Sequence, residues 1–247
     1  MENSESTWYK KWFDTDYYHQ LYSHRDEEEA RIFISTMVMY LEIHPGQRVM
    51  DLACGKGRHS LELEGHGLEV VGFDLSPKSI EAAKIYESET VAFDVHDMRK
   101  PFTKFGKFDV IFNLFTSFGY FDKAEDDQKT IQNVFKALTP EGYLVQDYIN
   151  AEAVLGELPS KGEKEFDYTQ FTWTKSLQNG HIIKDIEIND DGVSSKFQER
   201  VKAYSLEEIK RLHEQAGLTI KDIFGSYELD PYHKEESPRI IVISRKA

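Results

Sequence analysis

Carboxylates that end apolar runs, one of them beside a glycine turn, are where this 247-residue chain could do chemistry. In Val49-Met50-Asp51-Leu52-Ala53-Cys54-Gly55-Lys56-Gly57-Arg58-His59 an apolar run carrying one acid passes into a glycine-bearing turn. Gly55 and Gly57 remove side chains where a ligand has to approach the main chain. A helix starting beyond that turn directs backbone N–H groups at a nucleotide-like ligand. Asp51 sets the charge of the ligand, because a carboxylate repels pyrophosphate and favours a positively charged group. A second run, Leu68-Glu69-Val70-Val71-Gly72-Phe73-Asp74, ends in an acid 19 residues after Gly55. That is near the spacing at which a second-strand carboxylate meets ribose hydroxyls, its two oxygens accepting from two neighbouring O–H groups. Leu75 follows, and Ser76-Pro77 has the form of an N-cap with proline in the first helical turn.

The elements that must position these residues follow from the apolar periodicity. Thr90 to Arg99 is a third run, containing Asp94 and Asp97, and Phe108 to Phe115 is a fourth. Strands alternating with helix-length segments predict βαβ units and a parallel sheet. Lys123 to Leu138 is a predicted helix ended near Pro140, and Tyr143 to Tyr148 a fifth strand. Ahead of the first strand, residues 7–43 predict two helices, with Trp8, Trp12, Tyr18, Leu21 and Tyr22 on one apolar stripe and a second helix from Asp26 to Tyr40. Between residues 166 and 204 the period changes to two, with turns at Asn179-Gly180 and Asn189-Asp190-Asp191-Gly192, predicting three antiparallel strands. Ser205-Leu206-Glu207-Glu208 is a capping box opening a helix that ends near Gly217. Leu218 to Gly225 and Ile240 to Ser244 are the last strands.

Asp51-x-Ala53-x-Gly55-x-Gly57, with acids ending the second and third runs, resembles the first motifs of class I methyltransferases that use S-adenosylmethionine (SAM). Ala53 stands where many members have glycine. SAM carries an ammonium and a sulfonium and no phosphate, in keeping with Asp51. The resemblance is specific over residues 45–150 and extends to the rest by architecture. It implies an α/β, doubly wound, mostly parallel seven-stranded Rossmann-like sheet with an antiparallel last strand, N-terminal helices and a small antiparallel β insertion. The expected organisation is one domain over 1–247, with helices in 7–43, the core in 45–150 and 205–247, and the insert in 166–204. The resemblance makes Asp97 the acceptor for the adenine amine, with Asp94 as its rival, and sets Met98 along the ring edge. It puts Asn113 and Leu114 near the methionine end of the cofactor. Asp51, Ala53, Cys54, Gly55, Gly57, His59, Asp74, Leu75, Ser76, Asp97, Met98, Asn113 and Leu114 are thus the expected cofactor residues. The inserted sheet resembles the lid of glycine and amino-sugar N-methyltransferases, and a homodimer contact is its other use.

The expected acceptor is a small molecule, bound at the carboxyl ends of the parallel strands. Tyr120, Tyr148, Asn150, Arg200 and Arg239 are the substrate-site expectations, the two arginines for a carboxylate or phosphate on the acceptor. His24, Tyr120 and Tyr148 are the general-base candidates, with no catalytic residue assigned; His59 and His96 suit structural or cofactor-adjacent places. A net charge of −14 disfavours phosphate-backbone binding. Asn113-Leu114-Phe115-Thr116 also differs from the Asn/Asp-Pro-Pro-aromatic motif of nucleic-acid amino-methyltransferases. One cysteine, Cys54, excludes an internal disulfide and a three-cysteine radical SAM cluster, and suits a reducing cytoplasm. No histidine and carboxylate spacing forms a metal site. Residues 1–6 are too polar for a signal peptide, and no apolar run is long enough to span a membrane. Two other classes share parts of the pattern. A dinucleotide-dependent oxidoreductase is opposed by Asp51 and by Ser60 in place of the third glycine. A non-catalytic SAM-binding protein would keep the cofactor residues and fill the acceptor cavity.

Overall fold

The computed structural model describes residues 8–23 and 27–247. The polar residues 1–6, His24 and the expected helix start at Asp26 lie outside them. Among the described residues the N-terminal segment forms three helices rather than two: α1 (Trp8–Trp12), α2 (Asp16–Leu21) and α3 (Glu27–Tyr40). Thr15 separates the first two, its hydroxyl accepting from the Tyr18 N–H as an N-cap. Alternating elements follow: β1 (Arg48–Leu52), α4 (Arg58–Gly65), β2 (Glu69–Asp74), α5 (Pro77–Ala83), β3 (Val91–Val95), β4 (Phe108–Asn113), α6 (Ala124–Ala137) and β5 (Leu138–Ile149). The short α7 (Ala151–Gly156) leads to β6 (Ser160–Phe166), β7 (Thr169–Gln178), β8 (His181–Asp190) and β9 (Val193–Lys202). The chain then returns through α8 (Leu206–Ala216), β10 (Leu218–Phe224) and β11 (Arg239–Lys246).

Seven strands form one sheet in the order β10-β11-β5-β4-β1-β2-β3. The β1, β2, β3, β4 and β5 pairings are parallel, and β11 is antiparallel to both neighbours. The expected fold class is therefore observed. Its central strands are apolar on both faces because helices cover both. Ile241 and Ile243 of β11 point into a core shared with α3, α4 and α5, and Ile240 and Val242 into one shared with α6 and α8. The Ser205–Glu208 capping box and left-handed Gly217 bound α8, as its sequence predicts.

The inserted antiparallel sheet, β6-β7-β8-β9, has four strands rather than three. It begins at Ser160, before the expected boundary at 166, because Ser160-Lys161-Gly162-Glu163-Lys164-Glu165-Phe166 has almost no apolar residue to reveal a strand. This segment pairs with β7 from Ser160 opposite Lys175 to Phe166 opposite Thr169. Gly162 lets it lie under Trp173, since a Cβ there would come within 2.5 Å of the indole. The aromatics of α1 and α2 pack on this inserted sheet, whereas Phe33 of α3 packs on the parallel one. Trp12 and Leu21 join Phe171, Ile186 and Ile188 in a third core, bordered by Trp8, Phe13, Tyr17, Tyr18 and Phe197.

Candidate active site

The ends of β1 and β2 open a crevice at the carboxyl edge of the sheet. Ala53 and Gly55 both have left-handed backbone, with φ of 67° and 56°. The turn is pinned by the Ala53 and Cys54 N–H groups, which donate to the Phe73 carbonyl at 2.9 and 3.1 Å. Nothing lies within 4 Å of where a Gly55 Cβ would be, so its backbone faces open space. Gly57 differs: a Cβ there would meet the Phe93 ring at 2.7 Å. Its role is to start α4 and permit close packing, and it does not line the crevice, contrary to the expectation of ligand contact.

Three carboxylates face this space. Asp51 is buried and accepts from the Ser60 hydroxyl at 2.7 Å. Burial pushes its pKa up to about 6, against the lowering effect of Ser60. Asp74 accepts from the Gly55 N–H at 3.0 Å through one oxygen and from the Ser76 N–H at 2.8 Å through the other. Each oxygen keeps a further lone pair, so a diol can still donate to both. Burial raises the Asp74 pKa despite these backbone donors. Asp97 is held by Arg99, whose Nε and Nη2 donate to its oxygens at 3.0 and 2.8 Å. Burial alone would raise its pKa, but the Arg99 hydrogen bonds and charge bring it below the usual carboxylate value. Asp94 instead pairs with Lys104 at 2.6 Å on the exposed edge.

Two connected cavities fill the crevice. One, of about 120 Å³, is bounded by Asp74, Leu75, Asp97, Met98, His96 and Tyr120. The other, of about 280 Å³, is bounded by Asp51, Cys54, His59 and Leu114. Tyr18, His19, Ala53, Gly55 and Ser117 border both. The arrangement fits SAM: a carboxylate for a diol in an apolar slot at one end, and a second carboxylate at the other. The Nε2 atoms of His19 and His96 are buried with no hydrogen-bond partner among the described residues, in side chains that line the slot. A polar ligand would supply one. Cys54 is a free, buried thiol whose pKa burial raises well above its ordinary value, so it is no thiolate nucleophile. His59 is kept neutral, its pKa lowered to about 3 by burial and then by Arg58.

Ser76 and Asn113 lie apart from the crevice lining. The Ser76 hydroxyl caps α5 through Ser79 N–H at 3.0 Å and donates to Asp14 at 2.6 Å, tying the N-terminal segment to the core. Asn113 is fully buried, donating to the carbonyls of Leu52 at 3.1 Å and Ser117 at 3.3 Å. It also accepts from Gln146, which in turn meets His213 Nε2 at 2.7 Å. Its amide is consumed in locking β4 to its neighbours, so the side chain is not among those lining the crevice.

A third cavity, of about 320 Å³, lies between α1, α2, the inserted sheet and the ends of β4, β5 and β11. Tyr120 borders it and the cofactor slot, its hydroxyl donating to the Thr116 carbonyl. Arg239 also lines it, but Nε donates to Asp147 at 2.7 Å and Nη2 to Thr116 at 2.8 Å. The Arg239 partner is thus Asp147. Three substrate expectations are corrected. Tyr148 is fully buried and donates to the Lys202 carbonyl at 2.8 Å. Asn150 spends its amide on the carbonyls of Lys234 and Ser237 at 2.9 and 2.8 Å. Arg200 points away from the cavity because its β9 neighbours Glu199 and Val201 face it, and it meets Asp122 at 3.3 Å. The residues that sequence reasoning missed here include Phe13, Lys164, Trp173, Lys175, Lys184 and Glu199.

A family model described as "Methyltransferase domain" matches residues 43–217. The putative methyltransferase YqeM of Bacillus subtilis is 37% identical over 102 residues, which is 40% of this chain and 41% of that relative's length. Glycine/sarcosine N-methyltransferase of Aphanothece halophytica is 24% identical over 237 residues, covering 90% of this chain and 83% of the relative. A SAM-dependent methyltransferase from Clostridium acetobutylicum shares the fold, with a TM-score of 0.78, 20% identity, and 94% and 96% of the two chains covered. With the glycine turn, the three carboxylates and the sheet order already described, this match over most of the length means that the chain belongs to the class I SAM-dependent methyltransferase family.

Proposed function

We propose that the chain transfers the methyl group of SAM to a nitrogen or oxygen of a small acceptor. The observation that carries this is the 320 Å³ cavity, which meets the cofactor slot at Phe13, Tyr18 and Tyr120 and is roofed by helices and the inserted sheet. A cavity of that size suits a small molecule. Asp74 would hold the ribose diol, Asp97 the adenine amine and Asp51 the ammonium. Bound SAM supplies an electrophilic methyl carbon on a sulfonium leaving group. The protein's part is to align the acceptor atom with that carbon and exclude water. Tyr120 is held neutral by burial, which raises its pKa well above the ordinary phenol, so its hydroxyl orients rather than deprotonates. An amine acceptor is in keeping with the glycine/sarcosine N-methyltransferase similarity.

Calorimetric titration with SAM, S-adenosylhomocysteine and NAD tests the cofactor, and an acceptor screen detecting S-adenosylhomocysteine tests the reaction. Tight NAD binding without SAM binding would reject the proposal. The non-catalytic alternative requires a filled acceptor space, which the open cavity opposes. We place the chain in the cytoplasm because its single cysteine is a free thiol. A homodimer would use the exposed Tyr168, Leu177 and Val193 of the inserted sheet, and sedimentation velocity decides it.

A further inference from the structure

The two cavities of the cofactor crevice meet at a waist bounded by Tyr18, His19, Ala53, Gly55 and Ser117, which line both. Ala53, Gly55 and Ser117 belong to the core, on the segments after β1 and β4. Tyr18 and His19 come from α2, outside the parallel sheet. That helix is fastened to the core beside Asp74. The Ser76 hydroxyl donates to Asp14, just ahead of α2, at 2.6 Å, and the Ser76 N–H donates to Asp74 at 2.8 Å. Lys78 pairs with Asp16, in the first turn of α2, at 2.8 Å. These ties set the start of α2 against the start of α5 and bring His19, about one turn further on, to the waist.

The His19 Nε2 is buried there with no hydrogen-bond partner among the described residues. An unpaired buried polar atom is costly, and at a cavity wall a ligand relieves that cost by supplying the partner. The ring packs edge-on against Tyr18, with centroids 5.3 Å apart. Burial, and then Lys56, push the His19 pKa down to about 4, against Asp16 and Asp14. The imidazole is therefore neutral at pH 7. His96, the other unpaired imidazole, approaches from the core and lines only the cavity on the Asp74 side.

We propose that His19 is a cofactor-binding residue, its Nε2 making a hydrogen bond to SAM where the ribose joins the methionine, so that the cofactor bridges the core and α2. The placement rests on the assignment of Asp74 to the ribose and Asp51 to the ammonium. The waist then takes the atoms between those two ends, the sulfonium among them. A neutral imidazole can hydrogen-bond beside a sulfonium, whereas an imidazolium would repel it. Tyr18, Leu21 and Tyr22 of the same segment also line the acceptor cavity. A cofactor held by His19 therefore steadies one wall of the acceptor cavity, which couples the two sites.

The test is calorimetric titration of the full chain with SAM and S-adenosylhomocysteine, with melting temperatures of the same samples without ligand. His19→Leu keeps an apolar contact with Tyr18 and removes the unpaired nitrogen. It should melt no lower than the wild type and bind both ligands about tenfold more weakly. His19→Gln, whose amide reaches the place of Nε2, should restore affinity to within about threefold of the wild type. Hydrogen exchange of the α2 amides should slow when SAM is added to the wild type, and less so in His19→Leu. Wild-type affinity in His19→Leu, or equal weakness of the Leu and Gln variants, overturns the hydrogen bond. A His19→Leu melting temperature well below that of the wild type gives the ring a packing role and overturns it too. Exchange in α2 that SAM leaves unchanged overturns the bridge. A wild type that binds neither ligand rejects the cofactor assignment itself, a result distinct from tight binding that does not depend on His19.

Discussion

Replacing Asp74 by alanine is the sharpest test of the cofactor assignment. The carboxylate accepts from Gly55 N–H and Ser76 N–H, one on each oxygen, and has one further lone pair per oxygen for a ribose diol. Alanine removes both diol acceptors and frees both backbone donors. Water entering the vacated space replaces part of the loss, so the net cost is that of roughly one charge-assisted bond, about 1.5–3 kcal/mol. SAM affinity should fall about ten- to hundredfold. The Gly55 turn is also pinned through Ala53 and Cys54, so the fold should persist. Isothermal titration with SAM, alongside circular dichroism and a urea melt, measures both. Asp74→Asn separates charge from shape, because one amide end meets a backbone N–H it cannot accept. An Asp74→Ala protein that is folded and binds SAM as tightly as the wild type would refute the ribose assignment.

Shortening the hairpin at Asn179-Gly180, whose Gly180 carbonyl accepts from Ala203 N–H at 2.9 Å, should impair turnover and leave SAM affinity nearly intact; normal turnover by a monomeric variant would reject the lid role. Arg239→Met strands the buried Asp147 and should destabilise by about 3–5 kcal/mol in a urea melt, whereas a surface pair would cost under about 1 kcal/mol. Burial lowers the His213 pKa from 6.5 to about 3, so below pH 6.5 the unfolded chain takes a proton that the folded chain refuses. Stability should fall with pH across that window by about 1.4 kcal/mol per unit from this residue. Asp51, raised to about 6, opposes this between its two values but is common to both proteins. Melts of wild type and His213→Gln from pH 4 to 7 should therefore diverge, and parallel profiles would reject the assignment.

The parallel core was legible because its apolar runs close on polar residues, as β2 does at Asp74 and β4 at Asn113. Site residues on those ends were legible wherever the backbone itself makes the cavity, as at Ala53 and Gly55. The side-chain partners of Asn113 were not legible, because its position in the motif does not reveal that Gln146, Leu52 and Ser117 take up its amide. The strand Ser160–Phe166 escaped notice because an edge strand buries too little to need an apolar period. Tyr148 and Asn150 were misassigned for a related reason. The carboxyl end of β5 does face the ligand side, but its side chains are covered by β9 and by the loop before β11. The pairing of Lys175 with Lys184 had a signal that was available: Lys175 lies four residues before Asn179 and Lys184 four after Gly180, so a two-residue turn there sets them opposite.

The inserted sheet and the helices packed on it have a spectroscopic consequence. All three tryptophans of the chain, Trp8, Trp12 and Trp173, belong to that assembly and none to the seven-stranded core. Intrinsic emission excited at the indole band therefore reports this one region. Trp8 and Trp173 border the acceptor cavity, and Trp12 donates to Glu199 within it. An acceptor that enters changes the surroundings of every fluorophore at once, and detachment of the sheet from the core red-shifts the emission while core circular dichroism is unchanged. The chain thus carries a built-in optical probe, free of any label, for the part of the molecule that walls the third cavity.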